Sequence, residues 1–464
     1  MTRRHAVERI AVCLSIASLV VVASCRRPLA TAPIGGSFNA LSKEDEAFLE
    51  DLQRRSFRYF DEQADPATGQ VRDRARTDGS PQDENHRDVA SIAATGFGLA
   101  SLCIAAERGW LPRGTAAGRA RTTILFLDRK LPHEHGWFPH FINAKTGARV
   151  WNSEFSSIDT ALLMAGVLTA RQCFRDDAAL AGAADAAYRR IDFGWMRNGD
   201  PSLLTMGWKP ESGFLAARWE HYCELMILYI LGIASPTHPL PAAAWEAWQR
   251  PTVRFENFAF IGAADPLFVH QYSHAWIDFR GRQESREPHI DWWQNSVTVT
   301  HAHKAFCLSL AGQFPAYTND IWGITASDGP KGYQAWGGPP AHGPIDGTVV
   351  PAAAGGSLMF APDITLPALK AMKARFGARI YGRYGFADAF QPQTDWVNPD
   401  VLGIDVGITL LSAENLRSGA VWRWFMTNPE IPRALDAVGL KRRAAGAATS
   451  DRAAAAPRGR AARP

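Results

Sequence analysis

The chain has 464 residues, of which 46% are hydrophobic, and its formal net charge is +4. The positive charge lies at the two ends: residues 1–30 carry +4 and residues 441–464 carry +6, so residues 31–440 carry −6. This mildly acidic body excludes a basic nucleic-acid-binding surface, and it is long enough to bury a large core. Residues 441–464 are rich in Ala and Arg without apolar periodicity, so we predict a basic disordered tail there.

The first 24 residues predict an export signal. Arginines precede an apolar stretch over residues 10–23, which is too short for a transmembrane helix and typical of a secretory signal peptide. The stretch ends in VASC (22–25), and small residues before a cysteine resemble a bacterial lipobox. We therefore expect lipidation of Cys25, a linker over 25–41, and a lipoprotein of the periplasm or outer membrane whose only membrane contact is its lipid anchor. The alternative is an ordinary signal peptide cleaved nearby.

Helical periodicity dominates residues 42–440, which we predict to form one folded domain. Long segments rich in Gly, Pro and Trp connect the helices, and strand-like alternation is rare. Buried helices joined by long loops favour an all-α toroid with a pocket at one end; a helical solenoid is the rival, but no repeat of about 30–45 residues is visible. The predicted helices cover 43–63, 88–109 (with Asp88 as N-cap), 114–129, 155–174, 178–193, 217–233, 242–250, 295–312, 365–376 and 404–417.

Four cysteines lie beyond the export segment, at positions 103, 173, 223 and 307. An exported compartment permits disulfides, but these cysteines are far apart and each lies in an apolar, helix-like stretch. They also lack metal-site spacing, and neither HExxH, CxxC nor a P-loop occurs. We therefore predict free buried thiols, and neither a metal nor a cofactor.

The stretch RWEHYCELMILYILG (218–232) predicts an amphipathic helix that carries Glu220 and Glu224 on one face. Apolar and aromatic residues surround Glu224, and ionising a carboxyl in such surroundings is costly. This glutamate must therefore be paired, protonated or used in chemistry.

Sixteen tryptophans, many of them beside polar residues, indicate a sugar ligand, although any single one can equally be a core residue. Several acidic residues have competing structural interpretations. Glu154 and Asp159 stand at a helix start that Ser156 or Ser157 can cap, Asp278 can pair with Arg280, and Asp291 can cap a helix. Further acids occur at Asp388, Asp405 and Glu414. Without a metal motif or a GxSxG serine elbow, this combination favours glycoside hydrolysis by a pair of carboxylates.

Several motifs, in order over about residues 45–438, resemble the bacterial glycoamylase-like domain family, which includes the endo-β-1,2-glucanases. The resemblance implies an (α/α)6 barrel, anomer-inverting hydrolysis and an endo action on β-1,2-glucan rather than starch. The motifs are EFSSIDTALL, WEHYCELMILYILG, QYSHAWIDFRG, NDIWGITASDGPKGY, DGTVVPAAAGGSLMFAP, YGFADAF and GIDVGITLLSAEN.

The resemblance also implies roles for individual residues. Glu224 is the expected general acid with a raised pKa, Asp405 is the candidate base, and Asp159 is expected to contact the sugar or a water at the cleavage point. The other motif residues are expected to bind the substrate: Glu154, Trp219, Tyr222, Trp276, Asp278, Arg280, Trp322, Tyr333, Asp388 and Glu414.

Two departures from the family pattern, Val406 and His274, bear on the subsites and leave endo against exo action open. An exo-acting enzyme that releases disaccharides is therefore one alternative. A non-catalytic glycan-binding lipoprotein is another, because it would use the same tryptophans without needing Glu224. We expect a monomer whose partner is an oligo- or polysaccharide.

Overall fold

The computed structural model describes residues 41–262, 266–340 and 343–443, and within these ranges the chain is mainly helical. Three short 3₁₀ turns, over Ala242–Glu246, Leu267–His270 and Gly377–Arg379, supplement the α-helices. The α-helices are α1 (Lys43–Gln63), α2 (Ile92–Glu107), α3 (Arg113–Arg129), α4 (Ser157–Cys173), α5 (Ala178–Arg189), α6 (Phe193–Met196), α7 (Met226–Ala234), α8 (Tyr272–Trp276), α9 (Trp292–Ser309), α10 (Pro351–Gly355), α11 (Pro362–Phe376), α12 (Gly403–Arg417), α13 (Ala420–Met426) and α14 (Glu430–Ala437).

Six helices form a closed inner ring in the order α2, α4, α7, α8, α10, α12, with α12 returning to α2. The outer layer consists of α3, α5, the turn over Ala242–Glu246, α9, α11 and α1, each packed beside the inner helices. Helix α13 packs against α4, α8 and α12 and so covers one end of the ring. The predicted all-α, (α/α)6 toroid is confirmed.

The inner helices are buried on nearly all sides, because other inner helices flank them and the outer layer covers them. Nearly every residue of α2 and α4 is buried. Glycines allow these two helices to approach closely: a Cβ added to Gly166 would lie 2.0 Å from the carbonyl oxygen of Gly96. A side chain at either glycine would therefore force the two inner helices apart.

Short antiparallel strands occupy the loops, and three of them (β2, β4 and β16) lead directly into inner helices. The pairs are β1–β16, β2–β3, β7–β8, β9–β17, β10–β11, β12–β13, β14–β15 and the three-stranded β4–β5–β6, with registers such as Ala75 opposite Val401 and Asp328 opposite Tyr333. The strands are β1 (Arg74–Arg76), β2 (Val89–Ser91), β3 (Phe141–Asn143), β4 (Phe155–Ser156), β5 (Gly207–Lys209), β6 (Gly213–Phe214), β7 (Thr252–Phe255), β8 (Phe258–Ile261), β9 (Arg282–Glu284), β10 (Ser327–Gly329), β11 (Gly332–Gln334), β12 (Tyr381–Gly382), β13 (Gly385–Phe386), β14 (Phe390–Gln391), β15 (Trp396–Val397), β16 (Asp400–Leu402) and β17 (Leu440–Arg442).

Two predicted helix starts are wrong. Ser91 rather than Asp88 caps α2, because residues 89–91 pair with β3 and the helix begins only after them. The helix predicted over 217–233 begins at Met226, so Glu220 and Glu224 do not share a helical face. The predicted caps Ser156 and Asp291 are confirmed, each accepting a hydrogen bond from a backbone N–H in the first turn.

The ends of the domain differ partly from the prediction. The signal peptide, Cys25 and nearly all of the 25–41 linker lie outside the described residues, as does the tail from 444 onward. Residues 441–443, predicted as tail, are ordered, because β17 pairs with β9 and Arg443 contacts Asp291. In the described ranges no helix is both long and apolar enough to cross a membrane. As predicted, no disulfide joins the four cysteines of the described residues, although Cys223 is only partly buried.

Candidate active site

Acidic side chains collect at one end of the toroid, where inner helices begin. Asp159 lies in the first turn of α4 and Asp405 in the first turn of α12, and Glu224 lies two residues before α7. A helix N-terminus stabilises a nearby carboxylate through the helix dipole. The chain therefore brings together three acids that are far apart in sequence.

The hydroxyl of Tyr272, the first residue of α8, lies within electrostatic range of these acids. Burial raises the pKa of its hydroxyl well above the usual value, and so do the negative charges of nearby groups. In order of effect these groups are Asp405, Tyr333, Glu224 and Asp159. All three predicted catalytic residues therefore lie within electrostatic range of a single buried hydroxyl.

The backbone at Glu224 is fixed by Ser273. Its hydroxyl donates to the Glu224 carbonyl oxygen at 2.7 Å and accepts from the Ile227 N–H at 3.0 Å, which ties the start of α7 to α8. Glu224 itself is only partly buried, so the deep burial expected from its apolar neighbours is wrong. The apolar side chains after it face the core, while the glutamate precedes the helix.

Trp219 and Tyr222 support this segment and do not face a ligand. The Trp219 indole N–H donates to the Ser157 hydroxyl at 2.7 Å, and the Tyr222 ring stacks on Trp292 with centroids 5.1 Å apart and an angle of 3°. Both rings are buried, and the Tyr222 hydroxyl lies 3.0 Å from His270 Nδ1. The prediction that they bind sugar directly is wrong, because neither presents a free face.

A histidine connects two of the predicted acids. His140 Nδ1 lies 3.0 Å from a Glu154 oxygen, and its Nε2 lies 3.5 Å from a carboxylate oxygen of Asp159. The Ser156 hydroxyl donates to the other Asp159 oxygen at 2.5 Å. We call His140, Glu154 and Asp159 the histidine–carboxylate triad.

The pKa values in the triad follow from burial and from charge. Burial disfavours a charged His140, but the Asp159 and Glu154 carboxylates outweigh it and raise its pKa to about 9. Burial opposes ionisation of Glu154 as well, and its hydrogen bond and attraction to His140 prevail, lowering the pKa to about 2. For Asp159 burial prevails and its pKa is raised. At neutral pH the imidazole therefore carries a positive charge beside the carboxylates.

A second acidic cluster surrounds Asp405. Asp405 and Asp388 line the same small cavity, and each carboxyl acts on the pKa of the other. Asp388 Oδ2 accepts hydrogen bonds at 2.9 Å from the Asp328 backbone N–H and from the Asn398 side-chain amide. The structure therefore brings the predicted residues Asp388 and Asp405 together.

Arg74 neutralises the acids next to this cluster. Its guanidinium lies 2.8 Å from Asp328, 3.2 Å from Asp73 and 3.6 Å from Asp400. The strand pair β1–β16 positions Arg74 and Asp400. This pair connects the segment after α1 with the start of α12.

Partly exposed aromatic rings lie beside the triad and elsewhere near the acids. Phe141 stacks on His140 with centroids 3.9 Å apart, and Trp151 meets the Phe141 ring edge-on at 5.0 Å. Trp151 has a φ of 56°, a strained value for a bulky residue that its surroundings must hold in place. Tyr333, on the β10–β11 hairpin, is 49% exposed. These partly open rings are better placed for sugar stacking than the buried tryptophans.

Several predicted substrate-binding residues lie elsewhere. Trp276 and Trp322 are fully buried core residues, because large apolar rings help to fill the interior of a large toroid. Glu414 is fully buried and bonded to Arg108 and Gln53, nine residues and about 13 Å along α12 from Asp405.

Asp278 and Arg280 form a structural ion pair at 2.8 Å that does not belong to the acidic site. Arg280 also lies over the Trp422 ring of α13, on the end of the ring that α13 covers. The departures noted in the sequence are likewise in the core: His274 is fully buried, and burial lowers its pKa to about 3, while Val406 is also buried.

Sequence reasoning missed His140, Tyr272, Arg74, Asp328 and Asn398. Tyr272 and Asp328 had a usable signal, since they lie inside the QYSHAWIDFRG and NDIWGITASDGPKGY motifs. The nitrogen and oxygen atoms of the triad lie within 4.8 Å of one another, so these side chains are of a type that can hold a metal ion. Their polar atoms are already engaged by hydrogen bonds and ion pairing within the protein.

The comparisons with known proteins agree with this fold. The family model Glycoamylase, described as "Putative glucoamylase", matches residues 216–429. The exo β-1,2-glucooligosaccharide sophorohydrolase (non-reducing end) of Parabacteroides distasonis is 25% identical over 434 residues, which are 85% of this chain and 58% of that protein. The chain therefore spans less than two thirds of the length of that curated relative.

Two solved structures match over nearly their full length. The endo-β-1,2-glucanase from Chitinophaga pinensis, in a sophorotriose and glucose complex, has 28% identity and a TM-score of 0.80, with 87% of this chain and 99% of that chain covered. A Bacteroides fragilis protein described as a "putative glucoamylase" has 30% identity and a TM-score of 0.78, with 88% and 100% covered.

Proposed function

The chain belongs to the glycoamylase-like family, and on that basis we propose that it is a glycoside hydrolase that cleaves β-1,2-glucan. The observation that carries the proposal is the position of Glu224, Asp405 and Asp159 around the Tyr272 hydroxyl at one end of the toroid. Relatives named as β-1,2-glucan hydrolases of both endo and exo type support the choice of substrate.

Glu224 is the general acid of this proposal. It protonates the leaving glycosidic oxygen, and its side chain is only partly buried, at the end of the toroid where the inner helices begin. Replacement of Glu224 by Gln keeps the shape of the side chain but removes the proton. This replacement also tests the non-catalytic alternative, because a glycan-binding protein would have no turnover to lose.

Asp405 takes up the proton of the attacking water, either directly or through a substrate hydroxyl. Water attacks C1 from the side opposite the leaving oxygen, the C1–O bond breaks, and the configuration at C1 inverts. The charged His140 holds the Asp159 carboxylate at the same end of the toroid, where it can accept hydrogen bonds from sugar hydroxyls. A β-linked glucan then yields the α-anomer.

We favour endo action, because partly open aromatic rings extend from the acids: Phe141 and Trp151 lie beside the triad, and the exposed Tyr333 lies within electrostatic range of Tyr272. Exo action is the second candidate, since the Parabacteroides distasonis relative is named an exo-acting sophorohydrolase. Linear β-1,2-glucan digested for short times and resolved on a thin-layer plate distinguishes the two. A ladder of oligosaccharides indicates endo action, and a disaccharide alone from the earliest time indicates exo action.

We also propose that the enzyme is exported as a lipoprotein attached through Cys25. The VASC sequence at the end of the apolar stretch supports this proposal. Fractionation of cells that express the wild type and a Cys25→Ser variant tests it.

A further inference from the structure

Two buried carboxylate oxygens at the site lack a hydrogen-bond donor among the described residues. They are Asp388 Oδ1 and Asp405 Oδ2. Both side chains are buried, and a buried polar atom without a partner destabilises the fold. The two carboxyl groups are neighbours in one small cavity. A hydrogen bond forms between them only when one of them carries a proton.

The surrounding charges make two adjacent carboxylate anions unfavourable. Arg74 directs its guanidinium to Asp73, Asp328 and Asp400, and in the part of the chain that the structure describes no Arg or Lys forms an ion pair with Asp388 or Asp405. Asp328 and Asn398 contact Asp388. Burial, Asp388 itself, Asp328 and Asp73 all disfavour ionisation of Asp405.

We propose that Asp388 and Asp405 share one proton at neutral pH and act as a single base unit. This inference rests on the proposed function for its catalytic part, but the shared proton itself does not depend on any activity. When water attacks the sugar, its proton passes to Asp405, and the proton that Asp405 already holds passes to Asp388. The unit thus changes from one proton to two, and Glu224 supplies the proton that leaves with the sugar alcohol.

Asp388 is suited to be the final acceptor. The Asp328 N–H and the Asn398 amide donate to its Oδ2 and stabilise its anion, so the proton between the two groups resides on Asp405 in the resting state. Burial raises the pKa of both carboxyls, that of Asp388 to about 6 and that of Asp405 well above the usual range. Asp388 is therefore ionised and able to accept a proton at neutral pH.

The net charge of variants tests the shared proton directly. An ordinary Asp→Asn change removes one negative charge, so the exposed Asp320→Asn should shift the electrophoretic mobility of the folded protein by one charge at pH 7.5. Asp388→Asn and Asp405→Asn should each leave the charge unchanged, because the remaining carboxyl releases the shared proton. The double variant should shift by one charge. A one-charge shift in either single variant would overturn the proposal.

Infrared spectroscopy of the wild type gives a second measurement that does not need a variant to fold well. The wild type at pH 7.5 should show the carbonyl stretch of a neutral carboxylic acid, and Asp405→Asn should lose it. The absence of this band from the wild type would contradict the proposal.

The variant Asn398→Ala tests the role of Asp388 as the proton acceptor during turnover. Loss of the amide donor destabilises the Asp388 anion, so the acidic limb of the kcat–pH profile should move to higher pH. A lower kcat with an unmoved limb would show that Asn398 is only structural and would overturn the role of Asp388 as proton acceptor. Failure of the wild type to hydrolyse β-1,2-glucan would instead refute the proposed function and leave the charge result standing.

Discussion

Loss of the charge on His140 should destabilise the protein between neutral and alkaline pH. Its folded-state pKa of about 9 lies above the ordinary histidine pKa of 6.5, so its contribution to stability is fully present below pH 6.5 and is lost as the pH rises through 9. The difference of about 2.5 units corresponds to about 3 kcal/mol, as an upper estimate. Because the His140 side chain is 15% exposed, solvent screening removes little of this.

Urea unfolding of the wild type and of His140→Gln at pH 6 and pH 9.5 measures this contribution. The free energy of unfolding of the wild type should fall by up to about 3 kcal/mol more than that of the variant across this range. Taking the difference between the two proteins removes the effect of other groups that titrate. An equal pH dependence in both proteins would refute the assignment of the charge to His140.

Three further predictions concern the acid, the tail and the anchor. Glu224→Gln should lower kcat by about 10²–10⁴-fold while glucan binding persists. The matched control is Glu220→Gln, at a partly exposed position four residues earlier. A Glu224 variant that keeps more than about a tenth of the activity would contradict its role. Truncation after Arg443 should leave the melting temperature unchanged, whereas truncation after Leu440 removes most of the β17–β9 pairing and should lower it; equal values would contradict this. Cys25→Ser should abolish membrane association in cell fractionation, and unchanged association would contradict the lipobox.

The sequence predicts the helices whose local signals agree. Helix α1 has its predicted bounds because an apolar face, a serine cap and an acidic first turn all indicate the same segment. The helix predicted over 217–233 is half wrong for a non-local reason. Arg218 pairs with Thr205, and the backbone of Gln249 bonds to both Glu220 and Tyr222, so these backbone groups serve distant segments instead of a helix.

Site residues that lie inside the family motifs could be predicted from the sequence. Site residues that reach the site only through long-range contacts could not. The motifs contain Glu224, Asp159 and Asp405, and the structure brings these together. The histidine of the triad could not be found in the same way, because His140 lies in an irregular loop outside the motifs and reaches Asp159 only through the fold. For the buried tryptophans the predicted sugar contact was wrong, because a tryptophan beside polar residues in the sequence can equally fill a core.

Proton NMR of fresh digestion products tests the central proposal most directly. Purified protein is mixed with linear β-1,2-glucan, and the anomeric signals of new reducing ends are followed before mutarotation equilibrates them. Inverting hydrolysis by Glu224 and the Asp388–Asp405 unit predicts that the α-anomer is produced first. Early β-anomer would contradict inversion, and the absence of any new reducing ends would contradict hydrolysis of this glucan.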